Sequence, residues 1–325
     1  MAVFTNTLQT FATNGIREKL TDAITNIAPT ETPFYSMIKK IKSDNRKIEW
    51  QNDTLTDADG DNKTIEGDDI TTGDSLTSTV RQANYMQLQD KVVIVSDSDV
   101  ASNTAGRANE LKYQVSKEAK ALKRDMESAL TRNNAGVIGN ATTAGELGGC
   151  LSWMETNSDR EAGGADGGWN SGTSIVDAAT NGSQRASTED QLKAVVKSCW
   201  DEGGDPSIIM VGSFQKQKYS AFSGIATQYQ ENQPAMGQKR AVILGAADVY
   251  VSDFGRHRII PNRFSSARDA YVLDPSKWAC AFLQPFKVTP LARTGHAEKR
   301  LIKVEHTLVS FDERASGVVA DLSTS

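Results

Sequence analysis

Cysteine and histidine are scarce in this chain, with three of each in 325 residues. Cys150, Cys199 and Cys280 are far apart and odd in number. That argues against a disulfide framework or a zinc cluster and fits synthesis in a reducing cytosol. His257, His296 and His306 are too few and too scattered for a multi-histidine metal site. Nowhere do eighteen apolar residues follow one another, so no membrane-spanning helix is expected, and Met1 to Gly15 lacks the apolar run of a secretory signal. Positive charge is not in surplus either. The 36 Lys and Arg stand against 41 Asp and Glu, a net charge of -5, with a pI near 5.4. Any contact with nucleic acid is therefore expected to be weak.

Catalytic motifs are missing as well. His257 lies between Arg256 and Arg258 near Asp253, which could orient an imidazole, but no nucleophile motif accompanies it and a surface turn accounts for it better. His306 falls on the apolar parity of a strand, as a satisfied core residue does. The spacing of Asp57, Asp59 and Asp61 resembles the start of a calcium loop. Gly60 comes too early for one, Asn62 stands where the sharp turn needs glycine, and Asp68 stands where a bidentate Glu belongs. The glycines of Gly136–Gly149 and Gly163–Gly168 do not have the spacing of a phosphate-binding loop. No metal, no cofactor and no enzymatic activity are expected.

What is present is a long polar segment between two strand-like runs. Lys47, Ile48, Glu49 and Trp50 alternate as a half-buried strand does. Tyr85 to Val95 carries Met86, Leu88, Val92 and Ile94 on one parity. Between them Asp53, Asp57, Asp59, Asp61, Glu66, Asp68, Asp69 and Asp74 face the single base Lys63. Such a segment cannot fold on itself. It is either an acidic linker or a hairpin that leaves its domain, with arms of some fourteen residues reaching ~45 Å at about 3.3 Å per residue.

The rest of the pattern is α+β. An amphipathic piece, Ile16 to Ile27, precedes breakers at Pro29 and Pro33 and the apolar anchor Phe34, Tyr35, Met37, Ile38 and Ile41. Leu111, Val115, Ala119, Leu122, Met126 and Leu130 form one helical stripe, and Lys112, Lys117, Lys120, Lys123 and Arg124 read as a solvated face. Residues 134–186 read as mostly irregular surface around Leu147, Leu151, Trp153 and Met154. A second unit opens with competing caps, Ser187 with Asp190 or Thr188 with Gln191. The strand Ile208 to Val211 follows, then a helix that Ser213 can cap. Further strands are expected at 241–251, 257–260, 271–273, 278–283 and 301–309.

The order of these pieces resembles the HK97-type fold of tailed-phage major capsid proteins. The phrases Ile48-Glu49-Trp50-Gln51-Asn52-Asp53-Thr54-Leu55, Glu66-Gly67, Leu147-Gly148-Gly149 with Trp153, and Lys299 through Leu308 resemble the SU10-like major capsid family. The resemblance implies an N-arm over 1–43, an E-loop over 44–86 and a P-domain part over 87–186 that holds a spine helix at 104–133. It further implies an A-domain over 187–269 and a return through P-domain strands over 270–325. It also implies self-assembly as pentamers and hexamers into an icosahedral shell around double-stranded DNA, with portal and scaffolding proteins as partners and the virion as location. Trp50, Asp57, Asp59, Asp61, Glu66, Asp68 and Asp69 are the expected assembly residues. Rival readings are an encapsulin-like compartment, a tail or baseplate protein, and an α/β enzyme using His257 and Asp253.

Overall fold

A computed structural model describes residues 31–56, 58–67, 69, 73, 76–102, 109–222 and 248–324. In chain order it begins with α1 (Pro33–Met37), β1 (Lys39–Lys42), β2 (Lys47–Asn52), β3 (Val80–Tyr85), β4 (Gln87–Ser96), α2 (Asp97–Ala101) and α3 (Glu110–Thr131). Next come α4 (Cys150–Trp153), β5 (Ser158–Asp159), β6 (Gly168–Asn170), β7 (Ile175–Asp177), α5 (Glu189–Asp201), β8 (Ile208–Val211) and α6 (Ser213–Ser220). The chain closes through β9 (Val249–Ser252), β10 (Gly255–Pro261), β11 (Ala270–Leu273), β12 (Trp278–Pro290), β13 (Ala297–Ser310) and β14 (Gly317–Val319).

Helix α3 starts where Asn109 accepts a hydrogen bond from the Lys112 amide at 2.9 Å, and it runs ~33 Å at 1.5 Å per residue. Its apolar stripe is the expected one. Leu122, Met126 and Leu130 are fully buried in the main core, while Val115 and Ala119, nearer the start, are only half-covered.

Two sheets share that core. One has the order β1-β12-β13-β4; the other has the order β5-β14-β11-β8-β10-β9. Ile208, Met210, Tyr271, Leu273 and Val318 of the six-stranded sheet face α3, whereas Ile209, Val211, Val272 and Val319 face the core under α5 and α6. Both faces are dry, which explains why Ile208–Val211 is apolar without alternation. Helix α5 takes the second of the two capping arrangements: Thr188 and Gln191 close a reciprocal box. Ser213 is the first helical residue of α6 rather than its cap. Of the run expected at 241–251, only the part from Asp248 lies within the described residues, and Ile16 to Ile27 lies outside them.

Four expectations change. First, the run from Tyr85 to Val95 is split between two sheets, with β3 ending at Tyr85 and β4 starting at Gln87. In β4 Val93 and Val95 point into the core, leaving Leu88, Val92 and Ile94 60%, 49% and 58% exposed on the outer face. Second, residues 134–186 are built structure rather than loose surface. Strand β5 pairs with β14, β6 pairs with β7, and Leu147, Leu151, Trp153 and Met154 are buried. Gly148 and Gly149 permit this, because a Cβ would sit 1.9 Å from Val176 Cγ1 or from the Arg132 carbonyl oxygen. Third, His257 is a buried strand residue, not a surface turn. Fourth, His306 is core but unsatisfied: it is fully buried and neither ring nitrogen has a hydrogen-bond partner.

Glu127 joins the pieces. It is fully buried on α3. Its Oε1 accepts from the Phe34 amide at 2.8 Å and from Asn262 Nδ2 at 2.7 Å, and its Oε2 accepts from the Tyr35 amide at 2.8 Å. The carboxylate thus caps α1 and holds the residue that follows β10. Burial raises its pKa above the usual carboxylate value, and the three donors oppose that shift. Glu127→Gln would turn an NH₂ group toward at least one of these donors. The expected loss is about 1–3 kcal/mol, read as a lower urea midpoint; an unchanged midpoint would contradict this role.

Burial lowers the His306 pKa to about 3. An unfolded histidine, near 6.5, binds a proton first, so stability is full above that pH and falls as the pH drops toward 3. Between pH 6.5 and 5 the loss from this residue is on the order of 1–2 kcal/mol. His306→Leu should flatten that part of the stability profile, and an identical acid dependence in the variant would contradict the assignment.

Candidate functional site

Strands β2 and β3 form an antiparallel ladder of their own, from Lys47 opposite Tyr85 to Asn52 opposite Val80. It is six residues long, not fourteen. None of the described residues between Asn52 and Val80 is in a strand. Without apolar cross-strand pairs on either face, nothing fixes a register beyond Asn52. Lys47, 2.5 Å from Glu49, and then Arg81 at 3.7 Å hold the Glu49 carboxyl below its ordinary pKa.

Trp50 fastens the ladder to the body. Its indole lies 5.3 Å from Trp153 on α4, and Trp153 stacks on Trp169 of β6 at 6.0 Å. Trp50 Nε1 donates to Gln82 Oε1 across the ladder at 3.2 Å. Each ring pair adds ~0.5–1.5 kcal/mol beyond area burial. The inner end of the hairpin, with Ile48 and Trp50, packs with Met86, which joins β3 to β4, over Ala279, Ala281 and Val309 on the outer face of the four-stranded sheet. The Leu88, Val92 and Ile94 end of that face stays open.

Beyond the ladder every described residue from Asp53 to Val80 is exposed. Asp59 accepts from the Asp61 amide at 2.8 Å, and Asp61 pairs with Lys63 at 3.3 Å. Glu66 sits in a turn with Gly67, whose φ is +84°. Asp69 is exposed, and Asp57 and Asp68 lie outside the described residues. Among the described residues no three His, Cys, Asp or Glu side chains are grouped so as to hold a metal ion. Counting acids missed the loop's apolar residues. Leu55, Ile65 and Leu76 are 97%, 78% and 93% exposed. Three large apolar residues spaced along a polar loop were the available signal.

The His257 neighbourhood is differently built from a triad. The Ser252 hydroxyl is 2.7 Å from Nε2, and Nδ1 is 2.5 Å from the Pro206 carbonyl, where Asp253 would have to stand. The network assigns Nδ1–H as donor to Pro206 and Nε2 as acceptor from Ser252. Ser252 Oγ also accepts from the Phe254 amide at 3.2 Å, so these contacts pin the β9–β10 turn. Burial lowers the His257 pKa and raises all three cysteine thiols, Cys199 and Cys280 to about 12. None of the three is poised as a thiolate nucleophile.

Two sheets around one long helix, with a hairpin standing off the body, define an α+β subunit of the HK97-like shell-forming class. The profile of the SU10 major capsid protein family matches residues 3–323. The chain belongs to that family: it is a phage major capsid protein, and its place is the virion shell. It is similar to the major capsid protein of Escherichia phage Phieco32, 26% identical over 94% of each chain. In structure it resembles the cyanophage A-1(L) capsid subunit, with a TM-score of 0.68 and 13% identity over 98% of this chain and 99% of that one. The SrpI encapsulin of Synechococcus elongatus PCC 7942 shares the fold with a TM-score of 0.55 and 12% identity, over 98% and 97% of the two chains. No helix among the described residues is long and apolar enough to cross a membrane.

Proposed function

We propose that copies of this subunit close into pentamers and hexamers of an icosahedral shell around packaged double-stranded DNA. In this reading residues 44–86 are the E-loop that reaches over a neighbouring copy. Residues 1–43 are the N-arm and 104–133 the spine helix. Residues 187–269 form the A-domain, and 87–186 with 270–325 supply the P-domain.

The observation that carries the reading is the exposure of Leu55, Ile65 and Leu76 on a hairpin whose base is fixed. Their own subunit does not cover them. Covering such a side chain fully is worth about 1.5–3 kcal/mol, and a neighbour lying under the hairpin supplies that cover. The acids Asp57, Asp59, Asp61, Glu66, Asp68 and Asp69 keep the loop soluble before assembly and set the sign of the surface it meets. An arm laid on the next copy is a heterologous contact, the kind that closes into rings.

Mild acidity suits a container for DNA. Each phosphate neutralised adds salt-dependent affinity, and a shell that gripped its contents would hinder packing and ejection. The role is structural, with no catalytic step assigned, and scaffold and portal are separate proteins. The likeness to an encapsulin is one of fold alone, and the family match favours the virus.

The triple substitution Leu55→Asp, Ile65→Asp and Leu76→Asp tests the reading, with circular dichroism and sedimentation as readouts. The expected result is a folded subunit of unchanged thermal midpoint that no longer sediments as shells. Shells at the parental yield would contradict it.

A further inference from the structure

Helix α3 carries four exposed lysines, Lys112, Lys117, Lys120 and Lys123. Among the described residues none of the four forms an ion pair. At 3.6 residues per turn Lys112, Lys120 and Lys123 fall within about 80° of the helix surface, with Ser116 between them and Lys117 on the shoulder. From first to last the row runs ~16 Å. The acids Glu118 and Asp125 lie on the other flank of the apolar stripe. There Asp125 pairs with Lys91 of β4 at 2.8 Å, and that hydrogen bond, with Glu118 after it, raises the Lys91 pKa.

The row lies on a definite side of the subunit. Helix α3 packs on the face of the four-stranded sheet that carries Val93, Val95, Ile302 and Val304. The base of the hairpin packs on the opposite face, over Ala279, Ala281 and Val309. Lys40 is on the α3 side as well: its neighbour Ile41 turns to the hairpin side, and Lys40 Nζ sits 4.7 Å from the centre of the Tyr35 ring. The sheet therefore separates the lysine row from the acidic hairpin. A polyanion that approaches from the hairpin side meets Asp53, Asp59, Asp61, Glu66 and Asp69, and one that approaches α3 meets ammonium groups.

Lysine binds phosphate as a point charge, without the planar fork by which arginine matches a carboxylate or a base edge. A row of lysines with a serine hydroxyl among them therefore suits phosphates of any sequence. Along one strand of a duplex a phosphate recurs every ~3.4 Å of axis, so about five lie within the length of the row. Four neutralised phosphates give log K a slope of about −3.6 against log salt, a ~150-fold loss between about 50 and 200 mM. A contact of that strength touches the nearest DNA without gripping it.

We propose that Lys112, Lys117, Lys120 and Lys123 form the DNA-facing surface of the subunit, a weak phosphate-binding row on its α3 side. The inference rests on the reading of the chain as a shell around DNA and names the part of the subunit that meets the contents.

Binding by dispersed subunits of the full chain tests it, independently of whether shells form. A short fluorescent duplex is titrated, and its anisotropy is read at salt concentrations from about 50 to 200 mM. The expected slope is about −3 to −4. Lys112→Gln, Lys117→Gln, Lys120→Gln and Lys123→Gln together should weaken binding at least tenfold at the lowest salt and leave the circular dichroism spectrum unchanged. Parental affinity and slope in that variant would overturn the proposal. So would a poly-glutamate of equal charge that displaces the duplex better than unlabelled duplex does, which would assign the row to an acidic protein, and so would shells in which α3 faces outward. Subunits that never assemble contradict the shell reading instead, and the titration is read apart from that result.

Discussion

Glu127 is the contact on which the subunit's architecture depends. A buried carboxylate is tolerable only where donors replace the water it has lost. Here the donors come from two separate stretches of chain, the Phe34 and Tyr35 amides of α1 and the Asn262 side chain after β10, while the carboxylate itself belongs to the long helix. One side chain therefore fixes where the N-terminal segment enters and how the six-stranded sheet sits on α3. The apolar core around it is non-directional and would permit sliding; this carboxylate does not. Its neighbours share the task of alignment, since Tyr271 donates to the Thr131 carbonyl at 2.9 Å just one turn further on.

The hairpin is built on the opposite principle. Its base is fixed by the Trp50, Trp153 and Trp169 rings, and the described residues of its outer part are all exposed. The open end of the four-stranded sheet shows the same incompleteness, with Leu88, Val92 and Ile94 facing outward. Apolar residues are thus left uncovered both on the sheet and on the loop of a single subunit. That suits a shell protein, which must fold alone and then gain enough from its neighbours to stay assembled.

The sequence showed most of the inner architecture and less of the outer. Helix α3 was legible because six apolar residues keep helical spacing, and β8 because a doubly buried strand needs no polar alternation. Trp50 stood out as the anchor of the hairpin, although its partners Trp153 and Trp169 come from a glycine-rich stretch whose turns no periodicity describes. The parity of β4 was not readable. Its two faces are both apolar, one for the subunit's core and one left open, so hydrophobicity could not say which turns inward. The ladder's length was overestimated because none of the described residues between Asn52 and Val80 continues the pairing that starts near Trp50. His257 looked like a turn residue because its neighbours are arginines, yet strand pairing buries alternate positions whatever lies beside them. Glu127 gave no signal at all, being one acid among many on a charged helix.

Electron cryomicroscopy of shells assembled from the intact chain tests most directly the claim that the hairpin is completed by a neighbour. Leu55, Ile65 and Leu76 should lie buried against another copy in every hexamer position, with Trp50 still packed on Trp153 of its own. A hairpin whose apolar residues remain in solvent throughout the shell, or fold back on their own subunit, would contradict it.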